Sequence, residues 1–163
     1  MNIDAFRIGF KASKANRFRI TTTSLGGSKL NLDFYAKSAS FPGSSIGMIP
    51  IAYQGRIIKF SGERQFQEWA IQLYDNTDSI NIRTELEKMM DLMDHNETHL
   101  ADYNKVSNWT IKHISDGSTT GSGKTMTLHN CWPVDISPID LNYEASDTFA
   151  EYTVTLAYDR HSM

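Results

Sequence analysis

Ile49-Pro50-Ile51-Ala52-Tyr53-Gln54-Gly55-Arg56, then Phe60-Ser61-Gly62-Glu63-Arg64-Gln65-Phe66, then Glu68-Trp69-Ala70-Ile71-Gln72-Leu73-Tyr74 is the stretch that decides how this chain folds. Its last third alternates apolar and polar residues at period 2, as a half-buried β-strand does. Pro50, Gly55 and Gly62 punctuate the approach, which predicts loop and short strand there and no helix. Outward from this stretch, strand signals dominate. Residues 17–23 set Phe18 and Ile20 against Arg17, Arg19 and Thr21, and residues 30–37 set Leu30, Leu32, Phe34 and Ala36 against Asn31, Asp33, Tyr35 and Lys37. Gly26-Gly27 between them predicts a hairpin turn. Phe41-Pro42-Gly43 ends that hairpin and opens an extended, turn-rich excursion to Gly55. Further strands are expected at 56–61, 68–74, 106–115, 125–132 and 149–159.

The period changes once. Ile82, Leu86, Met89, Met90 and Met93 form the apolar stripe of an amphipathic helix over 79–94, with Glu85, Glu87, Asp91 and Asp94 on the solvated remainder. Asp75-Asn76-Thr77-Asp78 offers side-chain oxygens to cap its start. One helix among roughly seven strands predicts a mainly β fold: two packed antiparallel sheets or a flattened β-barrel, flanked by one α-helix. A chain of 163 residues is long enough to bury a core, so one domain over 1–163 is expected, with residues 1–15 as a flexible amino-terminal arm.

Composition excludes several function classes. Sixteen basic against nineteen acidic residues leave a net charge of -3, unlike a protein built to grip nucleic acid. A single cysteine, Cys131, excludes an intrachain disulfide framework and reads as a small buried residue in a reducing compartment. No apolar run approaches the roughly 20 residues that span a bilayer. Arg7, Lys11 and Lys14 interrupt the apolar residues that a signal peptide would need. A soluble chain made in a cytoplasm, without stable membrane association, is expected.

Three motifs carry tempting chemistry. Ser118-Thr119-Thr120-Gly121-Ser122-Gly123-Lys124-Thr125 matches a phosphate-cradling loop except that Ser118 replaces its first glycine. That chemistry needs a helix beginning at the lysine, whose N-terminal N–H groups face the anion. Here Met126 and Leu128 alternate with Thr127 and His129, which predicts a strand and makes the segment a glycine-rich hairpin turn. An NTP-binding enzyme using Gly121 to Thr125 remains the remote alternative. His95 and His99 could share a helical face as metal ligands, but Asn96 stands where a zinc protease has glutamate, and both follow the last apolar helix position. Trp69, Trp109 and Trp132 each fall in an expected strand and read as core or interface residues. No catalytic residue, metal or cofactor is assigned.

The order of pieces in the opening stretch, together with Cys131-Trp132-Pro133-Val134 and Tyr152-Thr153-Val154-Thr155-Leu156-Ala157, resembles the tail tube proteins of contractile-tailed, T-even-like bacteriophages. The resemblance runs over residues 17–159 and is weakest before Ala15 and over 96–121. It implies a structural virion protein whose hexameric rings stack into the inner tail tube, the conduit for DNA ejection into the host. Implied partners are the chain itself, the tail sheath protein, and baseplate and tail-terminator proteins; DNA passes the lumen without specific binding. The implied location is the virion, after synthesis in the host bacterial cytoplasm. A baseplate tube initiator, or a tube protein of another contractile injection system, is the alternative. Exposure and family position nominate Ile46, Met48, Ile49, Ile51 and Tyr53 of the excursion, with Phe6 and Phe10 of the arm, as contacts between subunits. A channel that lets a duplex slide must not be basic.

Overall fold

The computed structural model describes residues 15–23, 29–32, 34–77, 81–94, 106–114, 123–144 and 147–163. Strands β1 (Phe18–Thr23), β2 (Lys29–Asn31), β3 (Ala36–Ala39), β4 (Ser44–Tyr53), β5 (Arg56–Phe66) and β6 (Trp69–Tyr74) precede helix α1 (Ile82–Met93). Strands β7 (Ser107–His113), β8 (Thr125–Ile136), β9 (Glu151–Ala157) and β10 (Arg160–Ser162) follow it. Among the described residues every pairing is antiparallel.

Strand β8 joins two layers. Its first half pairs with β7, which continues to β1 and β2, while β10 lies on the other side of the same half. Its second half pairs with β9, which continues to β6 and β3. The change of partner falls at Asn130, whose φ of 57° lies in the left-handed region that asparagine tolerates. Side chains hold this corner: the Asn130 N–H donates to Asn108 Oδ1 at 3.2 Å, and its amide nitrogen donates to Asp159 Oδ2 at 2.7 Å. Pro133 lies just past the corner, where β8 has a partner on one side and a missing N–H breaks no ladder.

The layers face each other across a core built from alternate residues. Ile20, Trp109, Ile111, Met126 and Leu128 of one layer and Trp69, Ile71, Leu73, Tyr152, Val154 and Leu156 of the other belong to one buried cluster. Trp69 and Trp109 meet edge to face at 5.9 Å, a geometry that adds about 1 kcal/mol beyond area burial. Both indole N–H groups are satisfied, Trp69 by the Ser40 carbonyl at 2.7 Å and Trp109 by Ser107 Oγ at 2.9 Å. The period-2 expectation at Glu68–Tyr74 and the burial of Tyr152, Val154, Leu156 and Tyr158 are realised.

Helix α1 buries Ile82, Leu86 and Met89. Its cap is Asn81, whose side chain accepts from Thr84 N, rather than any residue of 75–78. Asn76 has a related task, accepting from Ile82 N at 3.2 Å.

Two expectations need correction. The single strand over 30–37 is two strands in different layers, because a turn in which Tyr35 N and Ala36 N donate to the Leu32 carbonyl carries the chain across. That crossing leaves Leu32 buried and Phe34 exposed, breaking the alternation. The turn-rich excursion to Gly55 is the ten-residue strand β4, paired along its whole length with β5. Strand β10 was not anticipated; three residues ending in a polar pair carry too short a pattern. The hairpin turn at Gly26-Gly27 lies outside the described residues, although β1 and β2 do pair as it requires.

Candidate assembly surface

The hairpin of β4 and β5 forms a sheet of its own, joined through Gly43 and Phe66 to the body. Phe66 anchors its base, packing on Tyr158 at 5.8 Å and His161 at 5.0 Å. Ten residues at about 3.3 Å each give an arm on the order of 33 Å. Gln54 and Gly55 close its tip, with φ of 48° and 76°. Positive φ at both central residues matches the right-handed twist of the strands it joins. A bulge lies midway, where Gly47 meets Gly62 and the register slips between Ile46 and Met48. A Cβ on Gly62 would stand 3.1 Å from the Gly47 carbonyl carbon and oxygen, so the backbones touch here.

Residues opposite each other across the ladder share a face. Ile49 opposes Phe60, Ile51 opposes Ile58 and Tyr53 opposes Arg56, which gathers five large apolar side chains on one face. Met48, Pro50, Ala52 and Ile57 lie on the other with Lys59 and Ser61. Every β4 residue is exposed, as is most of β5. The nominated Ile46, Met48, Ile49, Ile51 and Tyr53 are all on this arm, split between its faces. Phe6 and Phe10 lie outside the described residues. Ile57, Ile58 and Phe60 were missed; their signal was the run Ile57-Ile58-Lys59-Phe60 directly after the Gln54-Gly55 turn.

The other motifs resolve plainly. Strand β8 begins at Thr125, immediately after Lys124, so no helix N-terminus faces a phosphate there. Gly123 is required by packing, since a Cβ would lie 1.6 Å from the His113 carbonyl oxygen. His95, His99 and residues 118–122 lie outside the described residues. Among the described residues, no three His, Cys, Asp or Glu side chains gather as a metal site would need. Cys131 is buried, and burial pushes its thiol up to about 12. Trp132, next to it, is half-exposed over a groove of about 570 Å³ that Met90, Met93 and Val106 also line.

The family profile described as phage tail tube protein matches residues 3–163. This chain belongs to that family. It is 22% identical over 152 residues to the tail tube protein gp19 of Enterobacteria phage T4, covering 90% of this chain and 89% of the relative. Gp19 of Enterobacteria phage T6 matches equally. Two solved assemblies contain chains of the same fold. One is the anti-feeding prophage baseplate, sixfold symmetrised, with TM-score 0.68, 12% identity and coverage of 94% and 95%. The other is the sheath–tube complex of an extracellular contractile injection system in its extended state, with TM-score 0.62, 17% identity and coverage of 99% and 97%. The chain is therefore a T-even-like tail tube protein, a structural component of a phage tail.

Proposed function

We propose that this chain, one domain over residues 1–163, closes into hexameric rings that stack as the inner tube of a contractile tail and conduct DNA into the host. The observation that carries the reading is the projecting hairpin. Its two faces expose eight large apolar side chains between Ile46 and Phe60, far more than a soluble monomer leaves uncovered without a reason. A two-stranded hairpin is marginally stable alone, so its partner is part of its fold. In the assembled tube that partner is a neighbouring subunit, with Ile46, Met48, Ile49, Ile51 and Tyr53 in the contact and Phe6 and Phe10 of the arm serving a neighbour as well. Sixfold symmetry in an assembly holding the same fold supports the ring order. The sheath, the baseplate and a tail terminator are the remaining partners. The net charge of -3 fits a lumen that repels phosphate and lets the duplex slide. Synthesis takes place in the host cytoplasm.

Negative-stain microscopy of the purified chain over a concentration series tests this. Hollow filaments that lengthen with concentration are the expected result. Assemblies that stop at one or two rings would assign the chain to tube initiation, and solitary particles at every concentration would refute the reading.

A further inference from the structure

The hairpin meets the body at its base, and the ladder residue that makes the contact is Phe66. Every β4 residue is exposed, and in β5 only Gly62 and Phe66 are not. Among the described residues the ladder bonds to neither layer of the body. The Gln67 N–H donates to the Gly43 carbonyl at 3.3 Å, which closes the root of the hairpin on itself. Phe66, opposite Ser44 in the last pair of the ladder, packs against the buried cluster. It meets Tyr158 at 5.8 Å and His161 edge-on at 5.0 Å, and those two rings lie 6.1 Å apart. The entering chain is pinned separately, by Trp69 Nε1 donating to the Ser40 carbonyl and by Phe41 against His113 at 6.5 Å, both ahead of the ladder.

Two of the three rings belong to the last six residues of the chain. The chain turns back at Asp159, whose N–H donates to the His129 carbonyl at 3.1 Å and whose carboxylate accepts from Asn130. Strand β10 then sets His161 beside Leu128 and Ser162 beside Thr127, with His129 Nε2 and Ser162 Oγ 3.0 Å apart. Tyr158 Oη and His161 Nδ1 are buried here without hydrogen-bond partners. An unsatisfied polar atom weakens the contact that buries it, so the rings hold Phe66 by shape alone. A swing of about 10° at this base would carry the tip of a roughly 33 Å arm by about 6 Å. A small contact therefore decides where the apolar faces are presented.

We propose that the C-terminal strand β10, together with Tyr158, is a strap that sets the angle of the β4–β5 hairpin by clamping Phe66. The strap is a property of the isolated chain; its consequence for assembly rests on the reading that the hairpin contacts a neighbouring subunit. An arm whose direction is already fixed loses less freedom when it binds, so the clamp favours association.

Spin labels on the full chain test this, read by pulsed electron spin resonance below the concentration of tube growth and in a Cys131→Ala background. One pair joins Ala52→Cys, near the hairpin tip, to Ala70→Cys, exposed on β6. A control pair joins Ala70→Cys to Lys88→Cys, exposed on α1, and stays within the body. The first pair should give one narrow distance distribution. His161→Ala, and separately Phe66→Ala, should broaden it about twofold or more, as a swing of several ångströms at the tip requires. His161→Phe keeps the ring, discards the orphaned nitrogen and should leave the distribution narrow. Unchanged width in both alanine variants overturns the strap, and so does broadening by His161→Phe. Equal broadening of the control pair overturns it too, because the rings would then be holding the body together. The alanine variants should also need about tenfold more protein for tube growth. Broadening with wild-type growth leaves the strap standing and removes the hairpin from the contact, which separates the two failures.

Discussion

Ile51→Asp probes the hairpin most directly. Ile51 is 50% exposed, and its face-mates Ile49, Tyr53, Ile58 and Phe60 range from 44% to 60%. Full burial of such a side chain contributes roughly 1.5–3 kcal/mol, so covering the exposed half contributes about 1 kcal/mol each, on the order of 5 kcal/mol per arm. Ile51→Asp removes about 1 kcal/mol and places a carboxylate against apolar surface, which costs at least about 2 kcal/mol more. A total of about 3 kcal/mol weakens each contact roughly a hundredfold. In a ring of identical subunits every arm carries the same defect, so tube growth should cease at all workable concentrations. The isolated subunit should keep its melting temperature, because Ile51 lies outside the buried core cluster. The assay is sedimentation across a concentration series beside far-UV circular dichroism. Leu92→Asp, on the exposed side of α1, makes the same chemical change away from the hairpin and serves as the control. Tubes formed by Ile51→Asp within about threefold of the wild-type concentration would refute the reasoning.

Three other outcomes are expected. Gly62→Ala should cost about 1 kcal/mol locally and impair tube growth, because its Cβ meets Gly47 backbone at 3.1 Å, whereas Gly47→Ala, with nothing nearer than 3.6 Å, should not; equal behaviour of the two in the sedimentation assay would reject the bulge account. Stability should hold up to pH 9.0, the ordinary value of the Cys131 thiol, and fall toward about 12, since the unfolded chain releases a proton that burial keeps on the folded one. Burial raises Tyr152 and Tyr158 in the same direction from 10.0, steepening the fall. Urea midpoints measured against pH should show this, and Cys131→Ala should flatten the slope between pH 9.0 and about 12 by up to one proton, about 1.4 kcal/mol per pH unit. Tyr152→Phe should leave stability unchanged or raise it by about 1 kcal/mol, because the buried hydroxyl has no hydrogen-bond partner; a clear loss in thermal melts would show that the hydroxyl is satisfied.

The body of the fold was legible because its strands each bury one face. Trp69, Ile71 and Leu73, and again Tyr152, Val154 and Leu156, write that burial into the sequence as strict alternation. The hairpin was not legible as a hairpin because it buries neither face in this chain. Ile49 and Ile51 alternate with Pro50 and Ala52, so apolar residues point both ways and the period-2 signal fades. The slip at Gly47 and Gly62 blurs it further. Apolar content alone still flagged part of the contact surface, from Ile46 to Tyr53. The partner strand was expected over 56–61 alone, since Gly62, Glu63 and Arg64 give its second half a polar, turn-like cast. The break in residues 30–37 was hidden because Leu32 and Phe34 continue the alternation in letters while the chain changes layer.

An arm that exposes apolar faces and two backbone edges invites wrong partners, and its own chemistry limits them. Pro50 has no N–H to offer an incoming strand, and Lys59 opposite it would bring charge into any flat edge-to-edge stack. The bulge at Gly47 and Gly62 adds a local twist that a straight neighbouring strand cannot follow. These features disfavour arm-to-arm pairing while leaving the apolar faces open to a neighbouring subunit. An assembly surface therefore needs two properties together: enough apolar area to hold a neighbour, and backbone edges that refuse indiscriminate ones. Replacing Pro50 by a strand-forming residue such as valine keeps the first and weakens the second. The expected result is amorphous aggregate at the expense of tubes, with the subunit's melting temperature unchanged; clean tubes from Pro50→Val would show that the apolar contact alone enforces order.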